Sequence, residues 1–336
     1  MSTSPRPSRP ATSRDEQPMF LDACGHTLFS VHTLPTTTDL GIGVVLLHGG
    51  SYTYTAHRNQ LWQRIARSLA AYGFHTLRFD YHGIGDSTGV AEEFRMDHPF
   101  SDDAMAAVAG LRSAGVDEFI LIGECFGART ALAAAASVDG LVGLFLIAPA
   151  LHDGRQSDVA PQKFAAKYGV GSFLRRGLSL QALRKLGNRS ARTAYRRLGA
   201  AKMRHITRRF RRDAPADDLS WVSEQFLDQL QEAVGRGVRI QFVFGTRDGN
   251  DKFQKARTGR LGAVLREGGE NIEFALLEGK VHAELTRVAT QNAVYDLVTE
   301  WGPRVFAKTG DQSTAGTATA PLPSQQPGGD TAAQQP

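Results

Sequence analysis

Residues 118–137, EFILIGECFGARTALAAAAS, decide how this chain is read. Glu118–Ile122 reads as a strand, and it runs through Gly123-Glu124-Cys125-Phe126-Gly127 directly into a helix from Phe126 to about Ser137. Small residues on both sides of Cys125 permit a strained turn that lifts the central side chain out of a sheet, which is how a strand–turn–helix unit presents a nucleophile. The pentapeptide alone is weak support, because glycines are common and a free cysteine is usually a small buried hydrophobe. Its surroundings carry the argument.

Working outward, the same alternation of strand and helix recurs on both sides. Upstream, Met19–Ala23 and His26–Leu34 flank Cys24-Gly25 as a hairpin, with Cys24 a structural residue at the turn. Gly41–Leu47, GIGVVLL, is a continuous apolar run suited to a strand buried on both faces. Helical periodicity follows over Arg58–Tyr72, then a strand Phe74–Tyr81 and a helix around Ser101–Ser113. Downstream come a strand Leu141–Ile147, a helix near Ser223–Val234, a strand Arg239–Phe244, a helix near Lys252–Arg266, a strand Ile272–Leu277 and a last helix from Glu284 to about Val305. Strand and helix in alternation predict an α/β fold with a doubly wound, mostly parallel sheet. Such sheets hold their ligands at the carboxyl ends of the strands.

Two late strand ends are informative. Gly245-Thr246-Arg247-Asp248 follows one strand and Val281-His282 follows the last, giving the chain order nucleophile, acid, histidine. With that order, residues of about 19–306 resemble an α/β-hydrolase. The stretch from Gly49-Gly50 through Ala56-His57-Arg58 to Leu77–Ser87 is similar to hydrolases found beside exosortase systems. The resemblance implies a Cys125–His282–Asp248 triad, with His282 as base and then acid, and Asp248 orienting the imidazole. It also implies oxyanion donors at the backbone N–H of Phe126 and of Gly50 in the turn His48-Gly49-Gly50. Asp251, three residues on, and Asp153, after the preceding strand, compete with Asp248 for the acid. His26, His32, His57, His75, His82 and His98 fall too early for the base and read as structural or surface groups, and His205 lies in a basic insertion. Gly83-Ile84-Gly85 lacks the spacing of a phosphate-binding fingerprint, so no dinucleotide cofactor is expected.

Between the strand ending at Ala148-Pro149-Ala150 and the one beginning at Arg239, the alternation is interrupted. Residues 151–220 carry 17 Lys and Arg against 5 Asp, a net +12, whereas the rest of the chain sums to −7. The formal +5 of the whole 336 residues therefore averages a basic segment set into an acidic body. The α/β-hydrolase resemblance makes this segment a helical cap over the site, placed to shape an acyl pocket and control water. Its apolar residues, Phe164 to Phe210, are interleaved with arginines. Residues 1–17 read as a disordered arm and 308–336 as a low-complexity tail, leaving a core of 18–150 and 221–307. No apolar stretch reaches the length of a membrane span, the start lacks an apolar signal segment, and two distant cysteines form neither a metal spacing nor a disulfide framework. A cytoplasmic protein without metal or cofactor is expected.

A cysteine nucleophile changes the chemistry. Its acyl intermediate is a thioester, open to amines and thiols as well as water, and exchange with thioester donors is close to isoenergetic. Hydrolases with cysteine at this position include dienelactone-hydrolase-like enzymes, thioesterases and amide-forming acyltransferases, although Ala128 stands where the dienelactone pattern has a second glycine. A thioesterase or acyltransferase is therefore expected, acting on an acyl ester or thioester, with the basic cap suited to CoA or a carrier protein. Two other readings stand beside it. One is a non-hydrolytic elimination or cyclisation on the same triad, and the other a non-catalytic protein binding an anionic partner through the cap; nucleic acid is not expected.

Overall fold

A computed structural model describes residues 12, 15–50, 54–153, 222–248 and 251–306. Eight strands form one sheet: β1 (Glu16–Ala23), β2 (His26–Thr33), β3 (Ile42–Leu47), β4 (His75–Phe79), β5 (Glu118–Glu124), β6 (Leu141–Ile147), β7 (Arg239–Gly245) and β8 (Ile272–Leu277). Their spatial order is β1-β2-β4-β3-β5-β6-β7-β8. The hairpin β1–β2 is antiparallel and joins β4 antiparallel, and the six strands from β4 to β8 pair in parallel.

The parallel strands read as unbroken apolar runs because each is buried on both faces, with alternate side chains serving two cores. In β3, Val45 and Leu47 enter one core while Ile42, Val44 and Leu46 enter the other. Phe119 and Leu121 of β5 oppose Ile120 and Ile122 in the same way. The first core is closed by helices α2 (Ser101–Ser113), α3 (Phe126–Ala134), α4 (Glu224–Gly235) and α6 (Gly259–Gly268), after the short α5 (Asp251–Gln254). The second is closed by α1 (Leu61–Ala70) and α8 (Val288–Phe306), which meet through residues such as Trp62, Ile65, Val298 and Trp301.

Three sequence expectations are corrected. Glu16 and Gln17, placed in the arm, begin β1, because the Glu16 carboxylate is anchored by Arg67 and Arg78. The helix expected over Lys252–Arg266 is two pieces, α5 and α6, divided where Gly259 takes a left-handed backbone with φ +65. The last helix starts at Val288, and the residues before it form a separate turn, α7 (Val281–Glu284), held by Val281 and Leu285 burying together in the second core. The cap at 151–220 and the tail at 308–336 lie outside the described residues, apart from the cap's first three positions. No helix among the described residues is long and apolar enough to cross a membrane.

Register brings the carboxyl ends of the parallel strands to one edge. Leu47 pairs with Gly123, Glu124 with Ile147, Ile147 with Val243, and Gly245 with Leu277. The segments His48–Gly50, Cys125, Ala148–Asp153, Thr246–Asp248 and Gly279–His282 therefore all leave the sheet on that edge.

Candidate active site

Cys125 joins β5 to α3 with φ 47 and ψ −105, at the N-cap position of α3. A non-glycine residue with positive φ is held there only when its surroundings over-determine it. Its own N–H is fixed by the Ile147 carbonyl at 2.9 Å, and the flanking glycines supply the rest. A Cβ at Gly123 would collide with the Gly127 backbone, and one at Gly127 with the Leu47 carbonyl, so strand and helix pack at a distance only glycines allow. The cysteine is 8% exposed, at the positive end of the α3 dipole. Phe126 opens α3, where backbone N–H groups have no acceptor within the helix.

Asp248 and His282 reach the same edge through β7 and β8. The Asp248 Oδ2 accepts the Gly245 N–H at 2.7 Å, closing a turn directly after β7. Gly245 also marks how near the last loop comes: a Cβ placed there would lie 2.6 Å from Asp248 Oδ2 and 2.7 Å from the Val281 nitrogen. The Arg247 N–H bonds the Gly279 carbonyl at 2.8 Å. The acid-bearing turn and the residue before His282 thus lie against one glycine, with His282 exposed on the first turn of α7.

The competing acids are placed differently. Asp153 has both oxygens occupied, one by Arg129 Nη2 at 2.9 Å and the other by Ser223 Oγ at 2.6 Å. Arg129 is fully buried, and its guanidinium also bonds the Met96 carbonyl through Nε and Nη2. Ser223 caps α4 by accepting the Phe226 N–H, while its own N–H bonds the Leu151 carbonyl at 2.7 Å. Asp153 therefore ties the residues on either side of 154–221 to α3, the helix that Cys125 heads. Of Asp251 only the backbone, at the start of α5, is described.

Two groups went unrecognised in the sequence. Glu124, at the unspecified position of Gly-x-Cys-x-Gly, is buried with its Oε1 2.9 Å from His57 Nε2 and 3.0 Å from the Gly49 nitrogen, which donates to it. Burial pushes its carboxyl up, but the His57 hydrogen bond and charge, the Gly49 N–H and the nearby His48 outweigh that and hold it below the ordinary carboxylate value. His48 is fully buried against the Tyr81 ring; burial drives its pKa down to about 4, partly opposed by Glu124, so it is neutral at physiological pH. His57, read as structural or surface, is a buried structural partner of Glu124, the residue beside Cys125. A charged residue at the end of an apolar strand was the available signal for Glu124. An arginine in an otherwise alanine-rich helix was the signal for Arg129.

Among the described residues no group of three or more His, Cys, Asp or Glu is arranged to hold a metal ion. A sequence model described as the alpha/beta hydrolase family matches residues 44–276. Among solved structures the chain is similar to an esterase of Pyrococcus furiosus, at 15% identity and TM-score 0.53 over 91% of this chain and 98% of that one. It is also similar to Est1E of Butyrivibrio proteoclasticus, solved with ferulic acid bound, at 16% identity and TM-score 0.52 over 86% and 100%. A third likeness is to an alpha-beta serine hydrolase homologue from Coxiella burnetii, at 14% identity and TM-score 0.50 over 84% and 96%. At these identities the likeness is one of fold.

Proposed function

The chain belongs to the alpha/beta hydrolase family, and from that premise we propose that it is an acyl-transfer enzyme: Cys125 takes an acyl group from a thioester or activated ester and passes it to water or to an amine or thiol acceptor. The observation that carries the reading is the strained Cys125 backbone, φ 47 and ψ −105, at the head of α3. A cysteine serving only as a small apolar filler has no need of that strained conformation at the start of a helix.

In this reading His282 removes the thiol proton, and the thiolate adds to the acyl carbonyl. The developing oxyanion meets the N–H groups of Phe126 and Gly50. Collapse breaks the bond to the leaving group, which takes the proton from the His282 imidazolium and leaves a thioester on Cys125. An acceptor then loses its proton to His282, adds to that thioester, and expels the Cys125 sulfur. Asp248 favours the imidazolium throughout; the nearness of its turn to Val281 supports it over Asp153, whose carboxylate is already paired. The preference for thioester donors rests on the chemistry of the cysteine. The preference for a CoA or carrier-protein donor rests on the basic sequence of 151–220.

The experiment is intact mass spectrometry after incubation with a panel of acyl-CoA and p-nitrophenyl ester donors, with and without amine acceptors. An acyl mass on Cys125, and its loss to water or amine, is the expected result. No adduct with any donor, together with no alkylation of Cys125 by iodoacetamide, overturns the covalent mechanism. Full turnover by Cys125→Ala would instead support a His282-driven elimination.

A further inference from the structure

Resting on the acyl-enzyme reading above, we propose that Glu124 is a positioning residue whose carboxylate clasps the His48-Gly49-Gly50 turn to the nucleophile's elbow and so sets the direction of the Gly50 N–H. One oxygen does the holding. Glu124 Oε1 accepts the Gly49 N–H at 3.0 Å and lies 2.9 Å from His57 Nε2. Three chain segments meet on that atom: the end of β5 next to Cys125, the turn after β3, and the approach to α1.

Each partner is fixed by its own surroundings. The His57 side chain is 2% exposed, packs edge-on against Trp62, and sits on a left-handed backbone with φ 59 that a residue with a Cβ rarely adopts. The same loop is pinned again two residues earlier, where the Thr55 N–H donates to Asp80 Oδ1 at 2.6 Å. On the other side, a Cβ at Gly49 would lie 2.9 Å from Glu124 Oε1 and Cδ. The turn can approach the carboxylate this closely only because residue 49 is glycine, and Glu124, held by His57, has nowhere to retreat.

The contacts of the Glu124 carboxylate are to the Gly49 N–H and to His57. What the carboxylate does hold is the turn carrying Gly50, whose neighbour Gly49 it bonds directly. An oxyanion donor is effective only when its N–H is fixed on the position the oxygen takes in the transition state.

Two reactions of one sulfur separate this role from a general structural one. Acylation by p-nitrophenyl butyrate forms the S–C bond to a carbonyl, raises an oxyanion and expels p-nitrophenolate. Alkylation by iodoacetamide forms an S–C bond to a saturated carbon and expels iodide, with no oxyanion. Glu124→Leu removes the acceptor; Glu124→Gln keeps an Oε1 for both donors. We expect Glu124→Leu to slow acylation about 100-fold, as for a lost oxyanion donor, with alkylation and Glu124→Gln acylation within about threefold of wild type. Gly49→Ala, which crowds Oε1 while leaving Glu124 in place, is expected to reproduce the split and carries the comparison if Glu124→Leu does not fold. Equal losses in both reactions, or Gln as impaired as Leu, overturn the proposal while leaving the acyl-enzyme reading intact. A folded wild-type protein that gives neither adduct at Cys125 overturns that reading and the proposal with it.

Discussion

Truncating Asp153 should cost more stability than replacing Arg129, although both changes break the same ion pair. The reason is unequal burial: the Arg129 side chain is fully buried while 38% of the Asp153 side chain remains exposed. Arg129→Met keeps the apolar stem and removes the guanidinium, with its contact over the Phe226 ring and its hydrogen bonds to Asp153, Gln225 and the Met96 carbonyl. The orphaned carboxylate can rehydrate, and the buried charge is gone, so the main loss is the unpaired Met96 carbonyl, about 2 kcal/mol. Asp153→Ala instead leaves a buried guanidinium without its counterion, at about 4 kcal/mol, and frees Ser223, the cap of α4. The double variant has no stranded charge and should fall near the Arg129→Met value, giving a coupling of about 4 kcal/mol. Urea unfolding of the four proteins at pH 7 measures all of these. Equal single losses, the reverse ranking, or an additive double variant would refute the argument that Arg129 is a buried charge neutralised at the root of the 154–221 segment.

Three further outcomes are expected. Cys125→Ala should lower kcat/KM for an activated ester at least about 1000-fold and abolish iodoacetamide labelling at that position; residual turnover near wild type would remove the covalent step. Asp248→Asn should lower kcat about 10,000-fold with little change in unfolding midpoint, whereas an equal kinetic loss in a folded Asp153→Ala protein would move the acid to Asp153. Stability should fall on mild acidification, because burial holds His32 and His48 at about 4 in the fold. Unfolded imidazoles protonate near 6.5, so these groups contribute fully above that value and their contribution drains as the pH drops from 6.5 toward 4. From pH 7 to pH 5 the two together should cost about 4 kcal/mol, read from urea midpoints; a flat profile over that interval would show that neither is held neutral in the fold.

Much of the strand framework was legible because parallel strands buried on both faces leave continuous apolar runs. Leu141–Ile147 and Ile272–Leu277 needed no correction, and Ser101–Ser113 was equally clear as a helix. Breaks within helices were not legible. The interruption at Thr258-Gly259 and the detached turn Val281–Glu284 depend on where buried side chains find room, which a linear pattern does not record. Cys125 was visible because its signal is local: two glycines and a strand–helix junction within five residues.

The partners proposed for Cys125 were visible in the sequence as types and order only. Asp153 and Asp248 both follow strands, and nothing in the one-dimensional pattern ranks them. The fold gives Asp153 to Arg129 and Ser223 and sets the Asp248 turn against the loop that carries His282. Glu124 and His57 are 67 residues apart and meet on a single 2.9 Å contact. The sequence by itself determined the alternating architecture and the elbow, because burial periodicity and glycine sterics act over a few neighbouring residues. Only the tertiary structure decided which carboxylates are already paired and which turn each one holds, because hydrogen bonds and buried charges are settled by proximity across the sheet.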